Sequence, residues 1–124
     1  MGAEYLGGLA LGAVPLIGGV AVLGHLEKRP VKTLFVRKAA KEHGTKEQVE
    51  GLAPDDSLAG KRVLVVDDVA TKGGSIMQAV GAVRQAGAVV DTALVLVDRE
   101  EGASQLLQQN GVRLTSVLRA SDFL

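Results

Sequence analysis

"RVLVVDDVATKGGS", residues 62–75, decides how this chain folds. Val63 to Val66 form a continuous apolar run, the pattern of a strand buried on both faces. Asp67 and Asp68 end that run. Thr71, Lys72, Gly73, Gly74 and Ser75 then lead into a helix expected over 74–86, with Ile76, Val80 and Val83 at helical spacing and Gly87 as its stop. Successive strand side chains face opposite ways, so two adjacent carboxylates would be costly in a core and are expected at a solvated strand end. There they can accept hydrogen bonds from hydroxyls or meet a hard cation. The Gly pair lets backbone N–H groups converge, the helix N-terminus adds positive potential, and Thr71 and Ser75 offer hydroxyls. The stretch reads as a phosphate cradle beside a diol-binding pair, which suits a sugar phosphate.

Three other readings compete for the same residues. An ordinary capped loop is one, since Asp and Ser commonly precede helices. A signalling receiver domain is the second. It would open with such a strand, but here 62 residues precede it, and Asp98 follows too soon to act as phosphoacceptor. A nucleotide P-loop is the third, but its G-x-x-x-x-G-K-[ST] pattern is absent.

Outward from this stretch, strands and helices alternate. Residues 4–9 read as a short strand, with Gly7, Gly8 and Gly12 indicating a loop. Pro15 falls in the first turn of a helix over 14–26, which Lys28, Arg29 and Pro30 end. Residues 31–37 form a second strand. A charged loop and a turn-rich connector follow, up to the Val63 strand. Beyond the 74–86 helix come a strand over 89–98, a short helix over 102–110 and a last strand over 112–118. The order β-α-β-loop-β-α-β-α-β implies an α/β fold, a mainly parallel twisted sheet with helices on both faces. Ligands of such sheets bind beyond the carboxyl ends of the strands, where Asp67 and Asp68 stand.

Composition narrows the classes. The 124 residues are expected to form one domain over 1–124, large enough for a core without staples. Apolar residues make up 47% and aromatics only 2%, so Val, Leu, Ala and Ile must build that core. Fourteen basic and fourteen acidic residues cancel, which argues against a nucleic-acid binder. Absence of Cys excludes disulfides and is compatible with a reducing cytoplasm, the expected compartment. Tyr5 to Gly24 carries no charge over twenty residues, long enough to span a bilayer, but six glycines and Pro15 favour a buried strand–loop–helix and no membrane partner.

"VLVVDDVATKGGS" resembles the phosphoribosyl-pyrophosphate (PRPP) motif of type I phosphoribosyltransferases. "FVRKAAKEHGTKEQVEG" (35–51) resembles the mobile catalytic loop of the orotate phosphoribosyltransferases, "LGGLALGAVPL" (6–16) their first glycine loop, and "VDRE" (97–100) the strand end bearing an orotate-binding Arg. The resemblance spans nearly the whole chain in the correct order. It implies a type I phosphoribosyltransferase core, and the reaction of orotate with PRPP to give orotidine 5′-monophosphate and pyrophosphate in pyrimidine biosynthesis. Asp67 and Asp68 would hold the PRPP ribose. Thr71, Lys72, Gly73, Gly74 and Ser75 would cradle its 5′-phosphate. Thr71 and Arg99 would contact orotate. Arg37, Lys38, Lys41 and His43 would be the catalytic group, aimed at the departing pyrophosphate of a neighbouring subunit. Mg²⁺ would be held mainly by PRPP and water, with no direct protein ligand, and the protein would be a homodimer.

Read without the resemblance, Arg99 is a surface partner of Glu100 or Glu101, residues 37–43 are a solvated charged run, and His25 is structural. The sequence also departs from the family pattern. It begins almost at the first glycine loop, so the N-terminal hood segment is expected to be missing. The glycine loop has no Lys, leaving backbone N–H groups of 9–13 as the only donors there. The rival functional reading is a non-catalytic, PRPP-binding or regulatory module.

Overall fold

A computed structural model describes residues 3–10, 12–29, 31–38, 49–52 and 55–123. Its elements in chain order are β1 (Tyr5–Leu9), α1 (Val14–Leu26), β2 (Lys32–Val36), β3 (Val49–Glu50), β4 (Val63–Ala70), α2 (Gly74–Gln85), β5 (Thr92–Asp98), α3 (Ala103–Gln109) and β6 (Arg113–Arg119), followed by a 3-10 turn over Ala120–Asp122. The strands form one sheet in the order β3-β2-β1-β4-β5-β6. Every pairing is parallel except β2 with β3. The expected α/β class and mainly parallel sheet are what the chain adopts.

Strand alternation sorts the core into two layers. Val63 and Val65 of β4 pack with Ile76, Val80 and Val83 of α2 and Leu107 of α3. Leu64 and Val66 turn the other way and pack with Ile17 of α1. Helices therefore cover both faces. Small aliphatic side chains dominate both layers, with Tyr5 buried in the first and Phe35 packed against the second.

Three local expectations change. Gly7 and Gly8 lie inside β1 rather than in a loop. A Cβ at Gly7 would stand 2.5 Å from Leu34 Cδ1, and one at Gly8 would stand 2.5 Å from the Val66 carbonyl oxygen. These glycines serve close packing, not chain reversal. Second, β4 runs on to Ala70, so Asp67 and Asp68 are strand residues. Third, β3 was not foreseen. It consists of two residues, paired Phe35 with Glu50 and Val36 with Val49. This pairing joins the two ends of the charged loop to the sheet.

The sheet is organised around one point. From β1 the chain winds outward to β2, and from β4 it winds the opposite way to β5 and β6. The order reverses between β1 and β4, the position where open α/β sheets leave a crevice. Pairing of β1 with β4 ends at Gly7 and Val65, while β4 stays paired with β5 as far as Ala70 and Asp98. The final residues of β4 thus keep a neighbour on one side only.

Candidate active site

The crevice brings Asp67, Asp68 and the glycine loop together. β1 stays with β2 as it leaves the sheet, the Ala10 amide donating to the Val36 carbonyl at 2.7 Å. The loop then crosses the open edge of β4. A Cβ built on Gly12 would lie 3.7 Å from Asp67 Oδ1. Asp67 is only 8% exposed, whereas Asp68 is exposed. The expectation that both acids would be solvated is therefore corrected: the strand continues, and its alternation puts one carboxylate inward and one outward. Burial pushes the Asp67 carboxyl up to about 6, and the Asp68 carboxylate beside it works in the same direction. Each acid spends one oxygen on the backbone. Asp67 Oδ1 accepts the Asp68 amide and Asp68 Oδ1 accepts the Val69 amide, both at 2.8 Å.

The turn after β4 has the features of an anion cradle. Gly73 is the N-terminal cap of α2, with a left-handed φ of 92° and no side-chain capping bond. A side chain there would be strained, and its Cβ would stand 3.1 Å from Ala103 Cα and from Leu107 Cδ1 of α3. The capped-loop reading predicts an Asp or Ser cap, and neither is used. The first amides of α2 instead point from a helix start that carries no acidic side chain in its first turn. Thr71, Lys72, Gly74 and Ser75 are exposed around it.

Arg99 enters from β5. Ala70 and Asp98 are register partners, so Thr71 and Arg99 leave adjacent strands side by side. The Arg99 amide donates to the Ala70 carbonyl at 2.9 Å, extending the ladder by one residue. Its side chain is 59% exposed, with Nε 3.0 Å from Glu101 Oε2. The plain surface pairing is thus observed, with Glu101. An exposed pair of this kind is worth about 0.2–1 kcal/mol, little enough for a ligand carboxylate to displace.

The charged loop is described only at its stem. Arg37 Nε lies 2.8 Å from Glu50 Oε1 across the β2–β3 pair. Gln78 Nε2 of α2 donates to the Lys38 carbonyl. Lys41 and His43 lie outside the described residues. Glu50 and Gln78 were not singled out from sequence, and no motif marks them. Their role at the stem comes from tertiary pairing. Among the described residues no group of three or more His, Asp or Glu side chains is placed to hold a metal. No described helix is long and apolar enough to cross a membrane.

Strand order, crevice, acid pair and glycine cap converge at the carboxyl end of β4. A family model described as "Phosphoribosyl transferase domain" matches residues 7–114, and the chain belongs to that family. Within it, the chain is 50% identical over 121 residues to an orotate phosphoribosyltransferase of Rhodopseudomonas palustris (strain BisB5), covering 98% of this chain and 65% of that protein. The crystal structure of orotate phosphoribosyltransferase from Aeropyrum pernix matches with a TM-score of 0.80 and 43% identity, over 98% of this chain and 63% of that one. The Mycobacterium tuberculosis H37Rv enzyme in complex with PRPP matches with a TM-score of 0.80 and 35% identity, over 98% and 66%. The chain thus spans about 65% of the length of the curated relatives it matches.

Proposed function

We propose that this chain transfers the 5-phosphoribosyl group of PRPP to orotate, giving orotidine 5′-monophosphate and pyrophosphate, as a step of pyrimidine synthesis. One observation carries the reading. The Ala70–Asp98 register sets Thr71 and Arg99 side by side where β4 and β5 end, next to the acid pair on one strand and ahead of the amide-lined start of α2. A ligand that joins a sugar phosphate to a carboxylated base has a partner for each of its parts there. The likeness to orotate phosphoribosyltransferases supports the same choice of base.

In this reading the first-turn amides of α2, with Thr71, Lys72, Gly73, Gly74 and Ser75, take the 5′-phosphate. The second oxygens of Asp67 and Asp68 accept the ribose hydroxyls. Arg99 takes the orotate carboxylate through its planar fork, and Thr71 lies beside it. The bond from the anomeric carbon to pyrophosphate breaks, its electron pair leaves with pyrophosphate, a carbon–nitrogen bond to orotate forms, and the proton of that ring nitrogen passes to the departing pyrophosphate or to solvent. Positive charge developing at the anomeric carbon is stabilised by Asp67 and Asp68. Charge on the leaving group is met by Lys38, Lys41 and His43, together with Arg37 once it exchanges Glu50 for phosphate. The donor set at the crevice is all oxygen, which fits Mg²⁺ held chiefly by PRPP and water near the acid pair. When bound, Mg²⁺ supplies charge neutralisation on the phosphates.

A homodimer is part of the proposal. The outward side of α1 supports it, with Val22 61%, Leu23 55% and Leu26 72% exposed. A helix apolar on all sides is normally covered. The compartment proposed is the cytoplasm. Pyrophosphate release from PRPP tests the chemistry: release should require orotate and Mg²⁺ and should not be supported by adenine. PRPP binding without release would leave a binding module instead.

A further inference from the structure

The backbone on either side of Arg99 is fixed by bonds that leave its side chain free of them. Upstream, its amide is tied to β4 at Ala70. Downstream, Glu100 sits at φ 60°, a left-handed conformation that side-chain-bearing residues seldom adopt. Two contacts hold Glu100 there. Asp98 Oδ1 accepts the Glu100 amide at 2.9 Å, a carboxylate closing a turn onto the residue two ahead. Glu100 Oε1 in turn accepts the Ser121 amide at 2.8 Å, clamping the turn to the 3-10 segment after β6. That bond, with the Arg119 charge nearby, holds the Glu100 carboxyl below its ordinary range.

Asp98 is 8% exposed. A carboxylate is expensive to bury, and nothing in the transfer reaction assigned above uses it. Its one described bond is to the Glu100 amide.

We propose that Asp98 is a positioning residue: by locking Glu100 in the left-handed turn, its carboxylate fixes the direction in which Arg99 leaves β5 and so sets affinity for the carboxylate end of the acceptor. The inference rests on the reading of Arg99 as the orotate contact. Asp98 does not touch the ligand. Its effect falls on the acceptor alone, because the PRPP-facing residues are on β4 and α2.

The test compares Asp98→Ala with Asp98→Asn, whose amide oxygen can still accept the Glu100 N–H. Asp98→Ala should raise KM for orotate about tenfold, the scale of losing one charge-assisted hydrogen bond, and leave KM for PRPP within about twofold. Asp98→Asn should stay within about twofold for both. Amide hydrogen exchange of the unliganded protein should speed up at Glu100 and Ser121 in Asp98→Ala only. Should Asp98→Ala not fold, Asp98→Val, which also lacks an acceptor for the Glu100 amide but fills more of the site, takes its place with the same expectations. Equal losses for both substrates, or faster Glu100 exchange with unchanged orotate KM, overturn the positioning role. Absence of any orotate binding by the wild-type chain, measured by calorimetry, brings down the functional reading itself and this inference with it.

Discussion

Asp67 near the end of β4 and Asp98 at the end of β5 are the buried charged residues among those described, each 8% exposed, and the chain uses them in opposite ways. Asp98 closes a turn two residues ahead and is tied into the backbone of Glu100. Asp67 bonds only the amide of its neighbour, sits against a second carboxylate and faces the glycine loop across an unpaired strand edge. Burial without full compensation raises its proton affinity, so the folded chain bears a cost at Asp67. Same residue type, same burial and adjacent strands thus give one carboxylate tied into a turn and one that the proposed function assigns to a ligand. The difference lies in what the next residues supply.

Breaking the β4 side should have the largest effect. Asp67→Asn and Asp68→Asn are each expected to lower kcat/KM at least 100-fold, about 3 kcal/mol of transition-state stabilisation, in steady-state assays with PRPP and orotate. Retention of a tenth of the activity by either variant would remove it from the reacting centre.

Next in size is the glycine cap. Gly73→Ala should cost about 2–4 kcal/mol in denaturant unfolding, from its left-handed φ and the contacts with α3. Gly74→Ala, which meets nothing within 4 Å, should stay within about 0.5 kcal/mol. Equal effects would mean the cap geometry is not what the sequence is preserving there.

The acid pair also predicts a pH dependence of stability. Folding raises the Asp67 pKa from 3.8 to about 6, so between those values the folded chain binds the proton more tightly than the unfolded chain. That contribution is complete below about pH 4 and is lost as pH rises through about 6. At pH 8, Asp67→Asn should therefore be more stable than the wild type by about 1–3 kcal/mol, the gap closing toward pH 4 in thermal melts. A gap independent of pH would assign the effect to packing. The smallest effect belongs to the loop stem: Glu50→Gln should change stability by less than about 1 kcal/mol, since the Arg37 pair is exposed on both sides.

Much of this was legible because two periodicities dominate the chain. The apolar run 63–66 and the spacing of Ile76, Val80 and Val83 locate β4 and α2 directly, and their alternation with other segments dictates a parallel sheet. What misled was chemistry that serves two purposes. Glycine marks turns, yet Gly7 and Gly8 lie in β1 because Leu34 and Val66 approach too closely for a side chain. Carboxylates mark strand ends, yet β4 passes through both because β5 continues to pair with it. The two-residue β3, the Arg37–Glu50 pair and the Gln78–Lys38 bond join distant segments and leave no local pattern. Recognition of the candidate residues came from motif resemblance. The placement of those on β4, at the start of α2 and after β5 around one crevice follows from strand order.

Orotate absorbance tests the central claim most directly. The assay holds wild-type chain, PRPP and Mg²⁺, with Asp68→Ala run in parallel at matched folding by circular dichroism. The account predicts that absorbance falls with the wild type and stays flat with Asp68→Ala. A folded wild-type chain that leaves orotate unconsumed, or an Asp68→Ala chain that consumes it at the same rate, would contradict it.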